Sequence, residues 1–185
     1  MGKETQIKIP KKVESFLNKA GIKYELMGHR TVYTAFDKAA TLRMKPEIIA
    51  KVLTLKIGKD MAMAVIDGNK NLDIEKLKKT AKAEKIGFVK EKTIAETFKS
   101  VDPGAIPPFA DLWQMRVFCD KKLLEAPKII LSAGRYEASL AITPVAFKKA
   151  NPEMTIGNFS AARKKPPKTT NPKKKQTKAH TKKLQ

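Results

Sequence analysis

Two β-type segments separated by a short turn constrain the fold of this chain more than any other feature. Residues 52–57 alternate between apolar and polar types as VLTLKI, and residues 61–66 are continuously apolar as MAMAVI. The intervening Gly58, Lys59 and Asp60 are typical of a tight turn, so the two segments are predicted to pair as a β-hairpin. An all-helical fold is thereby excluded.

Helical patterns lie on both sides of this hairpin. Six helical segments are predicted, which begin at or near Pro10, Thr34, Pro46, Asp73, Thr93 and Pro144. Four further strands are predicted at residues 24–27, 114–119, 128–132 and 137–142. Because strands occur both in hairpins and between helices, we expect a single α+β (mixed α/β) domain with a mixed sheet.

Positive charge dominates the chain and is concentrated at its end. The 185 residues contain 39 Lys and Arg against 18 Asp and Glu, for a net charge of +21. Ten of the basic residues, and no acidic ones, follow residue 162, so removing those ten charges still leaves +11 on residues 1–162. An excess of this size attracts polyanions, which makes nucleic acid the first partner to consider.

The composition divides the chain into a domain at residues 1–160 and a Lys-rich tail at residues 161–185. The tail has too few apolar residues to offset the entropy of ordering, so we expect it to be disordered. It is either a solubility arm or an arm for RNA phosphates. In the second case the tRNA-binding candidates are Lys164, Lys165, Lys173, Lys174 and Lys175.

Several kinds of site are excluded by what the sequence lacks. A single cysteine, Cys119, rules out an internal disulfide and a cysteine zinc site, and it is expected to be a buried, inert thiol. Two histidines, His29 and His180, are too few for a three-histidine metal centre. No phosphate-loop motif, signal-peptide core or apolar membrane span is visible. No metal, cofactor or membrane is expected, and the predicted location is the cytoplasm.

Three segments remain as candidates for chemistry. Lys51 lies directly before the first hairpin strand, where its ammonium either enters a cleft or points to water. Residues 101–109, VDPGAIPPF, form an irregular loop whose backbone N–H groups are either a preorganised oxyanion site or part of a structural crossover. The third segment, Ser132 to Arg135, is interpreted as a small-residue turn between two strands.

Taken in order, these segments resemble the YbaK-type aminoacyl-tRNA deacylases, a family that includes the editing domain of bacterial prolyl-tRNA synthetases. The resemblance covers about residues 10–150 and rests on the segments HRTVYTAFDKAA, AKVLTLK, MAMAVIDGNKNLDIEKL, GAIPPF and SAGRYEASLAITP. The Lys of the family matches Lys51, and its Gly-x-x-x-Pro pattern matches Gly104 and Pro108. Asn follows the Lys in some members, where Val52 stands here, and His follows the late Gly in some, where Arg135 stands here.

The resemblance implies a strongly curved mixed sheet with flanking helices and one central pocket. It implies hydrolysis of the ester between a wrong amino acid and the terminal adenosine of tRNA, without a metal or a covalent enzyme intermediate. The expected substrate is a small amino acid such as Cys or Ala on tRNA-Pro, and prolyl-tRNA synthetase is a candidate partner. Lys51, Gly104 and Pro108 would be catalytic; the substrate-binding candidates are His29, Ala105, Ile106, Ser132, Gly134 and Arg135.

Two other functions fit the same sequence. The chain is alternatively a non-catalytic tRNA-binding or synthetase-docking module with this fold, which would tolerate the loss of Lys51. A protein that binds a small molecule in the same pocket is a third hypothesis, and its affinity would be insensitive to salt.

Overall fold

The computed structural model describes residues 7–163, which form a mixed α+β domain. Its helices are α1 (Lys11–Lys19), α2 (Ala35–Leu42), α3 (Ile74–Ala81), α4 (Glu91–Thr97), α5 (Ala110–Trp113) and α6 (Pro144–Ala150). Its strands are β1 (Glu25–Gly28), β2 (Ala50–Ile57), β3 (Asp60–Asp67), β4 (Lys70–Leu72), β5 (Ile86–Phe88), β6 (Arg116–Asp120), β7 (Ile129–Arg135), β8 (Ala138–Ile142), β9 (Thr155–Gly157) and β10 (Ser160–Ala162). Short 3-10 helices cover Pro46–Ile48 and Lys121–Glu125.

The predicted hairpin is the centre of the largest sheet. β2 and β3 pair antiparallel from Ala50 opposite Asp67 to Ile57 opposite Asp60, so Gly58 and Lys59 alone make the turn. On its other edge β3 pairs parallel with β6, giving the mixed strand order β5-β2-β3-β6-β9. A central strand is covered on both faces, which explains why the MAMAVI segment is continuously apolar.

Two smaller sheets complete the fold, so the single mixed sheet expected from the sequence is divided into three hydrogen-bonded sheets. β1, β8 and β7 form an antiparallel sheet, and β4 pairs with β10. Ile49, just before β2, bridges in parallel to Ile130 of β7 and so joins the antiparallel sheet to the start of the hairpin. This junction brings the beginning of β2 beside β7.

Side-chain caps begin three of the six described α-helices, α2, α3 and α6. The hydroxyl of Thr34 accepts a hydrogen bond from the Asp37 N–H at 3.0 Å, and the carboxylate of Asp73 accepts one from the Lys76 N–H at 3.1 Å. Thr143 caps α6 in the same way. Pro10 is the residue before the first helical turn of α1 and not its first helical residue. Cys119 is buried, as expected, and burial raises the pKa of its thiol to about 12.

The last described residues form strands that the sequence did not reveal. After β9, the buried Asp120 carboxylate accepts hydrogen bonds from the N–H groups of Phe159 and Ser160, both at 2.7 Å. β10 then pairs with β4 up to Ala162, so the strand pairing crosses the predicted boundary at residue 160. The tail lysines Lys164, Lys165, Lys173, Lys174 and Lys175 lie outside the described residues. No helix among the described residues is long and apolar enough to cross a bilayer.

The segment from Ser132 to Arg135 is a strand with a bulge, and the prediction of a turn there was wrong. The register of β7 against β8 shifts between Ser132 and Arg135, and the turn itself follows Arg135. Gly134 lies in the bulge at φ +91°, and a Cβ there would be 2.9 Å from both Pro10 Cγ and Val101 Cγ1. Only glycine fits this position, because both the backbone angle and the space exclude a side chain.

We predict that Gly134→Ala lowers the free energy of unfolding by about 2–4 kcal/mol, the sum of left-handed strain and overpacking. Gly58→Ala is the matched control, because Gly58 has φ +64° and no atom within 4 Å of a built Cβ. Urea unfolding of both variants measures the difference. Equal losses would show that close packing at Gly134 does not matter.

Candidate active site

One cleft gathers five of the nine predicted catalytic and substrate-binding residues. It has a volume of about 770 Å³ and lies between the start of α2, the start of β2, the loop at residues 101–109 and the end of β7. Lys51, Gly104, Ala105, Ser132 and Arg135 all line it. The three segments that were separate in the sequence therefore meet in one place.

Lys51 is held in the cleft wall by the backbone of β4. Its side chain is half-buried, and its ammonium donates a hydrogen bond to the Lys70 carbonyl. Burial lowers the pKa of Lys51, and the nearby positive charge of Arg163 lowers it further. The buried Asp67 carboxylate opposes this effect, and burial raises its own pKa. Lys51 thus faces the cleft and not bulk water.

The loop at residues 101–109 is fixed to the bulged end of β7 by backbone hydrogen bonds. The Asp102 N–H donates to the Gly134 carbonyl and the Gly134 N–H donates to the Ala105 carbonyl, both at 3.0 Å. The Ala105 N–H donates to the Asp102 carbonyl at 2.9 Å, which closes a tight turn. The Ala105 N–H is therefore already used and is not available to a ligand.

Side chains reinforce the same attachment. The Asp102 carboxylate accepts hydrogen bonds from the Arg135 guanidinium and from the Tyr136 N–H, each at 2.9 Å. The Tyr136 hydroxyl donates to the Pro103 carbonyl at 2.6 Å. Arg135 is thus a clamp for the loop as well as a wall of the cleft.

Gly104 presents its backbone to the cleft. It is exposed, has φ +82°, and a Cβ built on it would meet no atom within 4 Å. Its N–H makes no hydrogen bond to any described residue. A backbone donor held on a rigid turn at the edge of a cleft is the arrangement that oxyanion sites use.

Lys38 is a cleft residue that the sequence analysis missed. It is only 8% exposed, and its ammonium donates a hydrogen bond to the Ser132 hydroxyl at 2.8 Å. Burial lowers its pKa to about 8. The signal was present in the sequence, because Lys38 shares the inward face of α2 with Ala35, Ala39 and Leu42, where an apolar residue is expected.

Four predicted residues do not line the cleft. Ile106 and Pro108 are buried behind the loop, and Gly134 is buried in the bulge. His29 lies in a second pocket of about 580 Å³. Its imidazole is hydrogen-bonded to the Ser139 hydroxyl and the Arg30 carbonyl, both at 2.8 Å, and burial lowers its pKa.

Aromatic rings and cations form the rim of the cleft. Tyr33 is 74% exposed, and its ring meets that of Tyr136 edge to face with centroids 4.8 Å apart. The Arg163 guanidinium lies 4.8 Å from the centroid of Phe36, which is also exposed. Such rings and cations are what unpaired nucleic-acid bases stack on. Within residues 7–163, no three His, Cys, Asp or Glu side chains are placed to hold a metal ion.

The burial of Lys38 predicts a specific pH dependence of stability. Its pKa falls from 10.5 to about 8 in the folded protein, so the unfolded chain binds more protons between these pH values. Stability should therefore rise with pH across this window, by up to about 3 kcal/mol. Urea unfolding should show that the free energy of unfolding of wild type rises relative to that of Lys38→Met between pH 8 and pH 10. A constant difference, as for the exposed-face control Lys79→Met, would contradict the burial of the charge.

Comparisons with known proteins agree with this architecture. Solved structures with the same fold include the hypothetical protein APE2540, which is 23% identical with a TM-score of 0.73 over 81% of this chain and 99% of that one. A second is described as a proposed trans-editing enzyme for prolyl tRNA synthetase; it is 18% identical with a TM-score of 0.71 over 83% of this chain and 97% of that one. No curated protein matches the sequence.

The family assignment rests on the sequence match. The model of the aminoacyl-tRNA editing domain family matches residues 29–150, which is about two thirds of the chain. The matched region includes α2 with Lys38, β2 with Lys51, the Gly104 loop and the bulged strand β7. The chain belongs to the aminoacyl-tRNA editing domain family.

Proposed function

We propose that this protein hydrolyses the ester bond of mischarged aminoacyl-tRNA. The observation that carries the proposal is the placement of a cation, Lys51, and an exposed backbone donor, Gly104, on one cleft of an editing domain. An aminoacyl ester is already activated, so an enzyme needs mainly to orient it and to stabilise the tetrahedral oxyanion. Lys51 and the Gly104 N–H together can orient the ester and stabilise the oxyanion.

Each residue then has a defined role in the reaction. The Gly104 N–H donates a hydrogen bond to the carbonyl oxygen as negative charge develops on it. Lys51, kept in place by the Lys70 carbonyl, binds the phosphate or sugar edge of the terminal nucleotide or stabilises the developing charge. A water molecule attacks the carbonyl carbon, assisted by the 2′-hydroxyl or the amine of the substrate, and the tetrahedral intermediate collapses with cleavage of the ester C–O bond. The products are the free amino acid and a tRNA whose terminal ribose oxygen takes up the proton that the water loses. The Asp102–Arg135 pair holds the loop in register during this step.

The rim and the charge of the protein support tRNA as the carrier of the ester. Tyr33 and Phe36 provide exposed rings for the unpaired 3′-terminal bases, and Arg163 provides a cation beside them. The net charge of +21, to which the tail lysines contribute, favours association with the phosphate backbone. This protein shares its fold with the solved structure of a proposed trans-editing enzyme for prolyl tRNA synthetase. That similarity supports tRNA-Pro as the carrier of the ester and prolyl-tRNA synthetase as a partner.

The proposed acyl group is small, such as alanyl or cysteinyl. The test is a panel of mischarged tRNAs, including alanyl- and cysteinyl-tRNA-Pro, incubated with the purified protein. Turnover above the spontaneous rate of ester hydrolysis is the expected result. If every ester in the panel decays at its spontaneous rate while the tRNAs still bind, the protein is a non-catalytic tRNA-binding module.

Gly104→Ala should lower the single-turnover rate by at least about tenfold, in line with impairment of one oxyanion donor. The added Cβ meets no protein atom, so it occupies space in the cleft and strains the left-handed backbone without disturbing the core. Gly58→Ala carries a comparable backbone strain far from the cleft and is the matched control. Equal rates for the two variants would make the loop merely structural.

Deleting residues 164–185, which leaves the cleft residue Arg163 in place, and replacing Lys51 should affect different quantities. The deletion removes nine positive charges, so it should weaken tRNA binding and flatten its salt dependence while leaving the saturated single-turnover rate nearly unchanged. Lys51→Ala should lower the single-turnover rate strongly and change tRNA binding and its salt dependence little, because it removes one charge placed at the reacting end. Filter binding and single-turnover deacylation at two salt concentrations measure both effects. The opposite pattern would reject this division of roles.

A further inference from the structure

The charge of Lys38 has no carboxylate partner. Within residues 7–163 no Asp or Glu side chain forms an ion pair with it, and its hydrogen bond goes to the neutral hydroxyl of Ser132. A buried ammonium without a counter-charge is costly, and an apolar residue on this face of α2 would avoid that cost. The cost indicates that the charge is there for a ligand.

Lys38 and Ser132 leave donors for such a ligand. An ammonium has three protons, and the bond to Ser132 uses one of them. Because the Ser132 oxygen accepts that bond, its own hydroxyl proton remains free to donate elsewhere. Both residues line the cleft, so an anion placed in it could accept hydrogen bonds from both. Burial leaves the pKa of Lys38 at about 8, so the charged form predominates at pH 7.

The depth of Lys38 decides which anion fits. It is 8% exposed, whereas Lys51 and Arg135 are half-buried and Arg163 is exposed. A nucleotide phosphate is bulky and strongly hydrated, so the three more accessible cations suit it. The deeper pair of Lys38 and Ser132 suits a group as small as one carboxylate at the end of a short side chain.

We propose that Lys38 and Ser132 form the subsite for the side chain of the acyl group and that this subsite selects a small acidic side chain. Aspartyl-tRNA is then a better substrate than alanyl- or cysteinyl-tRNA. An apolar side chain on the acyl group would remove water from the Lys38 ammonium without offering a hydrogen bond in its place. Sites built to bind a polar group reject analogues that lack that group. The inference rests on the proposed editing function and replaces alanyl or cysteinyl by aspartyl as the preferred acyl group.

The test compares two esters of nearly the same shape on one tRNA, aspartyl and asparaginyl, together with alanyl. Wild type should hydrolyse the aspartyl ester with a kcat/KM at least about tenfold above the other two. Lys38→Met should lose this preference by slowing only the aspartyl ester, and Ser132→Ala should reduce it in the same sense. Lys79→Met is the control for removal of a lysine outside the cleft.

Binding of non-hydrolysable 3′-amide analogues, aspartyl and asparaginyl, to the same proteins is the second measurement. It separates the subsite proposal from the deacylase proposal, because a preference of wild type for the aspartyl analogue supports the subsite even if no ester is hydrolysed. Equal affinities and equal rates for all three acyl groups overturn the subsite and leave the deacylase proposal standing. An equal loss for every acyl group in Lys38→Met also overturns it, since Lys38 would then bind the nucleotide.

Discussion

The attachment of the Gly104 loop to the bulged end of β7 is the interaction on which the cleft depends. Two backbone hydrogen bonds between Gly134 and the loop, each 3.0 Å long, fix the loop, and the Asp102–Arg135 pair reinforces them. They form because Gly134 has no Cβ and lets Pro10 and Val101 approach the backbone closely. The core therefore determines where the Gly104 N–H points, and the rigidity of the site comes from its backbone.

The second constraint is electrostatic. Lys38, Lys51, Arg135 and Arg163 line one cleft, and of these only Arg135 has a carboxylate partner within 4 Å among the described residues. Partly buried cations without counter-charges oppose folding and favour anionic ligands in the same place. The positive potential of the whole body directs a polyanion to the surface, and the cleft cations then act at short range. Their different depths suggest different tasks: the more accessible Lys51, Arg135 and Arg163 bind the nucleotide, and the deeply buried Lys38 binds the acyl group.

Much of this arrangement was predictable from local sequence signals. The hairpin, the Thr34 and Asp73 caps and the irregular loop follow from periodicity and from the chemistry of Thr, Asp, Gly and Pro, which act within a few residues. Lys51 and the loop with Gly104 were singled out from their local sequence, a family resemblance then linked them, and the structure brings them into one cleft. The fold and the family were confirmed, whereas the roles of these residues remain predictions.

What could not be predicted depends on contacts between distant segments. His29 was placed among the substrate-binding candidates, but the pairing of β1 with β8 sets its imidazole against Ser139, in the second pocket. Ile106 and Pro108 follow Gly104 closely in sequence, yet the chain turns them into the core. Lys38 was overlooked because a lysine in a helix usually faces solvent. Its position on the apolar face of α2 was a signal of burial, but its contact with Ser132 depends on packing against β7. β9 and β10 are three residues long and depend on the buried Asp120, which no local pattern indicates.

The most direct test of the account is a crystal structure of the protein with a 3′-amide analogue of aminoacyl-adenosine that cannot be hydrolysed. The account predicts that the acyl carbonyl oxygen lies about 2.7–3.1 Å from the Gly104 amide nitrogen, with the ribose or phosphate beside Lys51. An analogue that occupies the cleft with its carbonyl turned away from Gly104, or that binds in the second pocket beside His29, would contradict it.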